Sequence, residues 1–204
     1  MAEQSANFIM NAKILRDRPL VVVFDDFLDP ATCKKFVEYP WAWQKSGGYD
    51  HKTHGSVYND HRTSSTNYIY ENLKFYDFVA YTKAKISNTL KIRTQRFEWL
   101  QTQKYEVGQQ YKHHHDFFYS GPETTNNRVG TFMIYLNDDF KGGGTTFHYL
   151  TLTVLPKTGR AVYFQYNYDH DTNLLTEHSG LPIIEGEKHV VTAWFRRENW
   201  TINK

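Results

Sequence analysis

The chain has 204 residues, of which 40% are hydrophobic and 17% aromatic, with 15 Tyr and 14 Phe. That length suits one domain with a substantial core, and the aromatic load favours a β-rich fold, because such side chains fit a pleated, half-buried surface. A formal charge of only +2 offers no footprint for nucleic acid or an anionic membrane. Cys33 is the sole cysteine, which excludes an internal disulfide and a thiolate metal cluster, so any metal must be held by His, Asp or Glu. The opening MAEQSANFIMNAKILRDRP lacks the apolar core of a signal peptide, and no stretch is apolar enough to span a bilayer as a helix. A reducing, cytoplasmic setting is expected.

In chain order, Leu20 to Phe24 (LVVVF) is apolar and β-branched and reads as a buried strand. Asp29-Pro30 supplies an N-cap and a proline at the first helical position, opening a short helix through Cys33, Phe36 and Val37. From Pro40 to Asn67 periodicity gives way to Gly, Ser, His and Tyr, which predicts irregular structure. Leu73, Tyr76, Ala80 and Ala84 recur at helical spacing and predict a second helix from about Glu71 to Leu90. Beyond it the runs FEWLQTQKY, VGTFMIYL, TLTVL, RAVYFQY and HVVTAWF read as strands. Turn signals separate them at Val107-Gly108, Asp138 to Gly144, Pro156 to Gly159, Ser179-Gly180 and Glu185-Gly186. The expectation is one domain over 1–204, mainly β with N-terminal helices. A strand-and-helix support region would run to about residue 92, with a jelly-roll core over about 93–200.

The segment YEVGQQYKHHHDFF, Tyr105 to Phe118, is the richest in chemistry. If His113 to Phe117 is extended, His114 and Asp116 project from one face. An imidazole beside a carboxylate is two-thirds of the two-His, one-carboxylate triad that holds Fe(II) and leaves positions open for co-substrate and oxygen. His148, His170, His178 and His189 are the downstream candidates for the third ligand. In KHVVTAWF, Lys188, Val190, Thr192 and Trp194 alternate onto one side. A lysine on a buried face requires an anion, since an unpaired buried charge is very costly. A dicarboxylate would supply it, one end on iron and the other on Lys188 and Thr192.

At this point the chain resembles the prolyl 4-hydroxylase family of 2-oxoglutarate oxygenases. Tyr105, Gly108, Tyr111, His114 and Asp116 stand at that family's core spacing. FMIYLND, GGGTTF, PKTGRAVYF, HSGLPIIEGEK and TAWFR follow in family order, and VVVFDDFLDPATCKKF and RTSSTNY fit upstream. The resemblance implies a double-stranded β-helix (cupin-like) core with His114, Asp116 and His178 as iron ligands. The ten-residue step from His178 to Lys188 is the family spacing from distal ligand to co-substrate anchor. Tyr105 and Thr192 would assist Lys188, while Tyr111, Arg128 and Trp194 would line the peptide site. The implied cofactors are Fe(II), 2-oxoglutarate and O2, with ascorbate as reductant. The implied reaction is hydroxylation of a proline-containing peptide or protein, with 2-oxoglutarate decarboxylated to succinate and CO2. Retention of Asp116 argues for hydroxylation, because related halogenases carry a small residue there.

One departure is Gly144, which gives GGGT where most relatives carry an acidic residue after paired glycines. That residue is not an iron ligand, so activity should survive. The glycines are not a phosphate loop, because no Lys-Ser or Lys-Thr follows. A lysyl residue, a free amino acid or a small metabolite are the alternative substrates. The segments Gly47 to His61 and Tyr166 to Thr176 face the substrate in this reading but carry no decipherable pattern. A silent β-barrel used for binding is the rival of another class, and it would have no reason to keep the ligands and Lys188.

Overall fold

Valine-rich Leu20–Phe24 is indeed a strand, and it is the second of a hairpin. In the computed structural model, which describes residues 12–50, 55–58, 60–70 and 76–201, β1 (Ala12–Asp17) pairs antiparallel with β2 (Leu20–Phe24). Asp29 caps α1 (Pro30–Glu38), its carboxylate accepting from the Thr32 amide at 2.8 Å, and the helix buries Cys33 and Phe36. Next come β3 (Gln44–Lys45), β4 (Gly48–Asp50), β5 (Gly55–Val57), β6 (Ser65–Ile69) and α2 (Asp77–Leu90). The β-rich remainder comprises β7 (Leu100–Tyr105), β8 (Tyr111–His114), β9 (Arg128–Tyr135), β10 (Lys141–Gly142), β11 (Thr145–Phe147) and β12 (Leu152–Val154). It continues with β13 (Ala161–Gln165), α3 (His170–Leu174), β14 (His178–Gly180), β15 (Ile183–Glu185) and β16 (Lys188–Arg196).

Two sheets build the core. The larger has eight strands in the order β1-β2-β13-β9-β16-β7-β6-β3, and the smaller has four in the order β12-β11-β14-β8. Successive side chains on a strand point to opposite faces, so β16 serves two cores. Val191, Ala193 and Phe195 join Phe132 and Ile134 of β9 against Phe36, Val79 and Ile86 of the helices. Val190 joins Tyr105, Tyr135, Phe147 and Phe164 between the sheets. All nine residues of β16 are buried.

Several sequence expectations change here. The stretch from Pro40 to Asn67 is not wholly irregular: β3 and β6 extend the large sheet, and β4 pairs with β5. The second helix runs from Asp77, with 71–75 outside the described residues, and it buries Phe78, Val79, Thr82 and Ile86 rather than Ala80 and Ala84, which are exposed. Ser179-Gly180 is no turn but part of β14, which is held between β11 and β8. The early strands β1, β2, β3 and β6 lie in the same sheet as β7, β9, β13 and β16, so the part before residue 92 contributes to the β core itself.

Candidate active site

His114 closes β8 and His178 opens β14, and strand pairing sets them directly opposite one another. The strand stops at His114, so Asp116 reaches the site from the bend beyond it rather than from an extended run. That bend is pinned. Asn127 accepts from the Phe118 amide at 2.9 Å and donates to the Phe118 carbonyl at 2.8 Å, while Arg128 donates to the Asp116 carbonyl at 3.1 Å.

The three ligand atoms converge. Nε2 of His114 lies 3.7 Å from Oδ1 of Asp116, Nε2 of His178 lies 3.8 Å from Oδ2, and one donor atom from each residue falls within 4.8 Å of the others. Both Nδ1 atoms are committed elsewhere, His114 donating to the Lys112 carbonyl (2.8 Å) and His178 to the Thr176 carbonyl (3.0 Å). A carbonyl can only accept, so each neutral ring keeps its lone pair on Nε2, facing the carboxylate. Burial, helped by the nearby His178, holds the His114 pKa well below 6.5, which favours the neutral, ligating form. Burial alone would raise the Asp116 pKa, but positive charge beside it, from His178 and His114 whenever they are protonated and from Arg128 always, together with the Thr131 hydrogen bond, brings it down to about 2. Thr131 donates to its Oδ2 at 2.6 Å and fixes the carboxylate plane. Two imidazoles and one carboxylate, pre-set in orientation, fit a single ion of the Fe(II) facial-triad type.

The other end of the same cavity holds Lys188. Tyr105, Gln103, Met133, Thr145, Val190 and Thr192 line the space between. Lys188 is 3% exposed, and its Nζ donates to the Gly143 carbonyl at 2.6 Å. Among the described residues no carboxylate pairs with it, and burial lowers its pKa to about 7. Gly143 makes the approach possible. Its φ of +67° suits glycine, and a Cβ there would stand 3.0 Å from Cδ of Lys188 and 2.7 Å from Cδ1 of Ile183. A buried cation whose one hydrogen-bond partner among the described residues is a neutral carbonyl is suited to an incoming anion.

The expected face of β16 forms as read, with Lys188, Val190, Thr192 and Trp194 all on the cavity wall. Tyr105 pairs opposite Lys188, while the Thr192 hydroxyl donates to Gln103 at 3.1 Å. Tyr111 stacks on the His114 ring, with centroids 3.4 Å apart and 11° between planes. Arg128 does not line the cavity. Its guanidinium is bound twice by buried Glu98 (2.7 and 2.8 Å) and lies 4.1 Å from the Trp194 ring centre. Of the other candidate histidines, His148 bonds Ser179 and His189 bonds Glu187, away from the triad, while His170 opens α3.

Two contributors escaped the sequence reading. Glu98 also accepts from Arg196 at 2.6 Å, and the arginines, Arg128 foremost, keep it ionised against the burial that would raise its pKa. Arg62 is buried in the cavity wall over the Tyr111 ring. Nε of Arg62 and Nε1 of Trp194 are buried donors that find no hydrogen-bond partner among the described residues. The RTSSTNY segment was a signal for Arg62, but nothing in it pointed to the cavity.

A two-sheet barrel with two imidazoles and a carboxylate at one end of its cavity, and at the other a buried lysine that no carboxylate among the described residues neutralises, is an arrangement that fits a mononuclear metal site with room for a bifunctional anion. Comparison with known proteins agrees. The profile of the 2OG-Fe(II) oxygenase superfamily matches residues 100–196. Prolyl 4-hydroxylase 1 of Arabidopsis thaliana is 30% identical over 201 residues, covering 88% of this chain and 70% of that protein, and prolyl 4-hydroxylase 5 is 30% identical with 90% and 70% covered. In fold the chain is similar to the viral collagen prolyl hydroxylase of Paramecium Bursaria Chlorella virus-1, solved as its 2OG complex, with a TM-score of 0.65, 23% identity, and 86% and 95% of the two chains covered. It is also similar to a Trichoplax adhaerens prolyl hydroxylase solved with a hypoxia inducible factor peptide, with a TM-score of 0.68, 15% identity, and 95% and 90% covered. The chain belongs to the prolyl 4-hydroxylase family of Fe(II)/2-oxoglutarate-dependent dioxygenases. Its core is the double-stranded β-helix of that group, and it uses Fe(II), 2-oxoglutarate and O2, with ascorbate the typical reductant of prolyl hydroxylases. No helix among the described residues is long and apolar enough to cross a membrane.

Proposed function

We propose that this enzyme hydroxylates prolyl residues of a peptide or protein, with decarboxylation of 2-oxoglutarate to succinate and CO2. His114, Asp116 and His178 hold the iron, and Lys188, with Tyr105 and Thr192 beside it, holds the far carboxylate of 2-oxoglutarate. The observation that carries this reading is the pairing, in one cavity, of a pre-oriented triad with a buried lysine that no acid among the described residues neutralises. Bound iron, with 2-oxoglutarate and O2, supplies the oxidant that places one oxygen atom in a C–H bond. The protein's residues orient and shield. Thr131 and the Lys112 and Thr176 carbonyls fix the ligands, Tyr111 covers the His114 ring, and Phe164 and Val190 keep the walls apolar.

A substrate rich in hydrogen-bond acceptors is supported by the donors of Arg62 and Trp194 that no described residue satisfies, and which peptide carbonyls would. Tyr111 and Trp194 are assigned to that substrate, and Arg128 serves it indirectly by supporting Trp194 and Asp116. Residues 1–204 act as one unit in this reading, because early and late strands share a sheet. The test is mass spectrometry of purified protein with Fe(II), 2-oxoglutarate, ascorbate and a panel of proline-rich peptides, with succinate followed in parallel. One added oxygen on proline with matching succinate is expected. Succinate without peptide oxidation would shift the substrate to a lysyl residue, free amino acid or metabolite. Neither product, with iron bound and across the panel, would favour a silent barrel.

A further inference from the structure

Outside the cavity, four aromatic side chains run in contact along the sheet. Tyr68 and Tyr70 stand two apart, their rings 6.4 Å apart at 27°. Tyr70 meets Trp99 edge-on at 4.4 Å, and Trp99 meets Trp200 at 5.2 Å. Tyr70 is 56% exposed, and the other three are partly exposed.

Strand register ties this row to the active site. Across β6 and β7, Thr66 opposes Gln103 and Tyr68 opposes Gln101; across β7 and β16, Gln103 opposes Val190 and Gln101 opposes Thr192. Directly opposed residues share a face, so Tyr68 lies on the cavity side of the sheet, and ring contact brings Tyr70, Trp99 and Trp200 to that side with it. Ile69 and Leu100 turn the other way, into the helix-side core. Lys188 marks the buried end of the cavity. Trp194, opposite Thr131 whose hydroxyl holds Asp116, marks the metal end. The Glu98 amide donates to the Trp194 carbonyl at 3.0 Å, which puts Trp99 level with the metal end, displaced toward β6.

We infer that this row is a docking strip for the stretch of substrate polypeptide that flanks the hydroxylated residue, and that the flanking stretch is itself proline-rich. The inference rests on the prolyl reading above. A chain delivering one residue to the triad must leave the cavity at the metal end, where the strip begins. Exposed rings without charged members suit prolyl side chains, whose extended left-handed helix is preformed and docks on aromatic surfaces with little entropy loss. At about 3.1 Å per residue, roughly five residues in that conformation would cover rings at these spacings.

The test compares wild type, a Tyr70→Ala/Trp99→Ala double variant and a Tyr70→Phe/Trp99→Phe double variant. Each is given a peptide of about four residues with one proline and another of about fifteen with repeated prolines. The alanine variant should raise KM for the long peptide about tenfold, the size of one or two lost aromatic contacts. Its kcat, and its KM for the short peptide, should stay near wild type, and the phenylalanine variant should restore most of the difference. An unchanged long-peptide KM in the alanine variant, with wild type active, would overturn the strip alone. Wild type oxidising no proline in either peptide would overturn the prolyl reading and the strip with it. A dimer in sedimentation that the alanine variant dissolves would show the row to be covered by a second copy, and would overturn it too.

Discussion

Replacing Lys188 by methionine separates what the protein needs to fold from what it needs to bind. The side chain is 3% exposed, and burial takes its pKa from 10.5 to about 7. That difference corresponds to about 5 kcal/mol against the charged form, of which the bond to the Gly143 carbonyl restores about 2 kcal/mol. Lys188→Met should therefore stabilise the ligand-free protein by about 3 kcal/mol near pH 6, on the order of 10 °C in Tm. The sign with pH follows from the lowered folded value. Below about 7 both states carry the proton and the penalty is full, whereas between about 7 and 10.5 the unfolded chain holds a proton that the native one has released. Wild-type stability from this group thus rises across that window, and the advantage of the variant shrinks. The same variant should bind 2-oxoglutarate at least about thirtyfold more weakly, since a desolvated charge partner is gone. Urea denaturation at pH 6, 8 and 10, with calorimetric titration of 2-oxoglutarate at fixed iron, measures both. A variant less stable than wild type at pH 6, or one with unchanged affinity, would refute the reasoning.

Other substitutions probe the remaining parts. Changing His114, Asp116 or His178 to Ala should abolish iron-dependent succinate formation, and turnover surviving in any one would remove that residue from the ligand set. Thr131→Val, which deletes the 2.6 Å bond to Asp116 without changing volume, should weaken iron binding by about tenfold or more in a metal titration. Glu98→Gln leaves buried Arg128 without its hydrogen-bonded carboxylate, while Arg196 keeps Glu123 at 2.8 Å, and should cost about 3 kcal/mol in urea denaturation. Because the arginines hold the Glu98 pKa below 4.5, its contribution should be present above that pH and lost as pH falls through the lowered value. Gly143→Ala should destabilise by more than about 1 kcal/mol and weaken 2-oxoglutarate binding, since its Cβ would meet Ile183 and the Lys188 stem.

Much of this was legible because the chemistry needs particular residue types at particular spacings. The strands richest in Val, Tyr and Phe announced themselves, as did the capped helix at Pro30. Tertiary pairing hid the rest. β3, β4 and β5 are two or three residues long and carry no alternation, and β14 is a His-Ser-Gly that is a strand only because β11 and β8 flank it. In α2 the buried face includes Thr82, satisfied by a 2.7 Å bond to the Phe78 carbonyl, so its apolar pattern was broken and the alanines gave a false stripe. Within the site, the types and spacing of the triad and Lys188 were readable. Choosing His178 needed either the family spacing or the strand register that sets it opposite His114. The Glu98–Arg128 pair spans 30 residues and leaves no local trace.

The two ends of the cavity rest on scaffolds of unequal permanence. Lys188 belongs to β16, wholly buried and flanked by β9 and β7, whereas His114 belongs to β8, the outermost strand of the small sheet, where the described residues bonded beyond it are the irregular 60–63 stretch. Amides of β16 should exchange with solvent deuterium only when the whole core opens, and those of β8 through cheaper, local fraying. Metal loading should therefore slow exchange in β8 and β14 and leave β16 as it was. The anchor for 2-oxoglutarate would then stay in place however often the metal-bearing edge opens and closes.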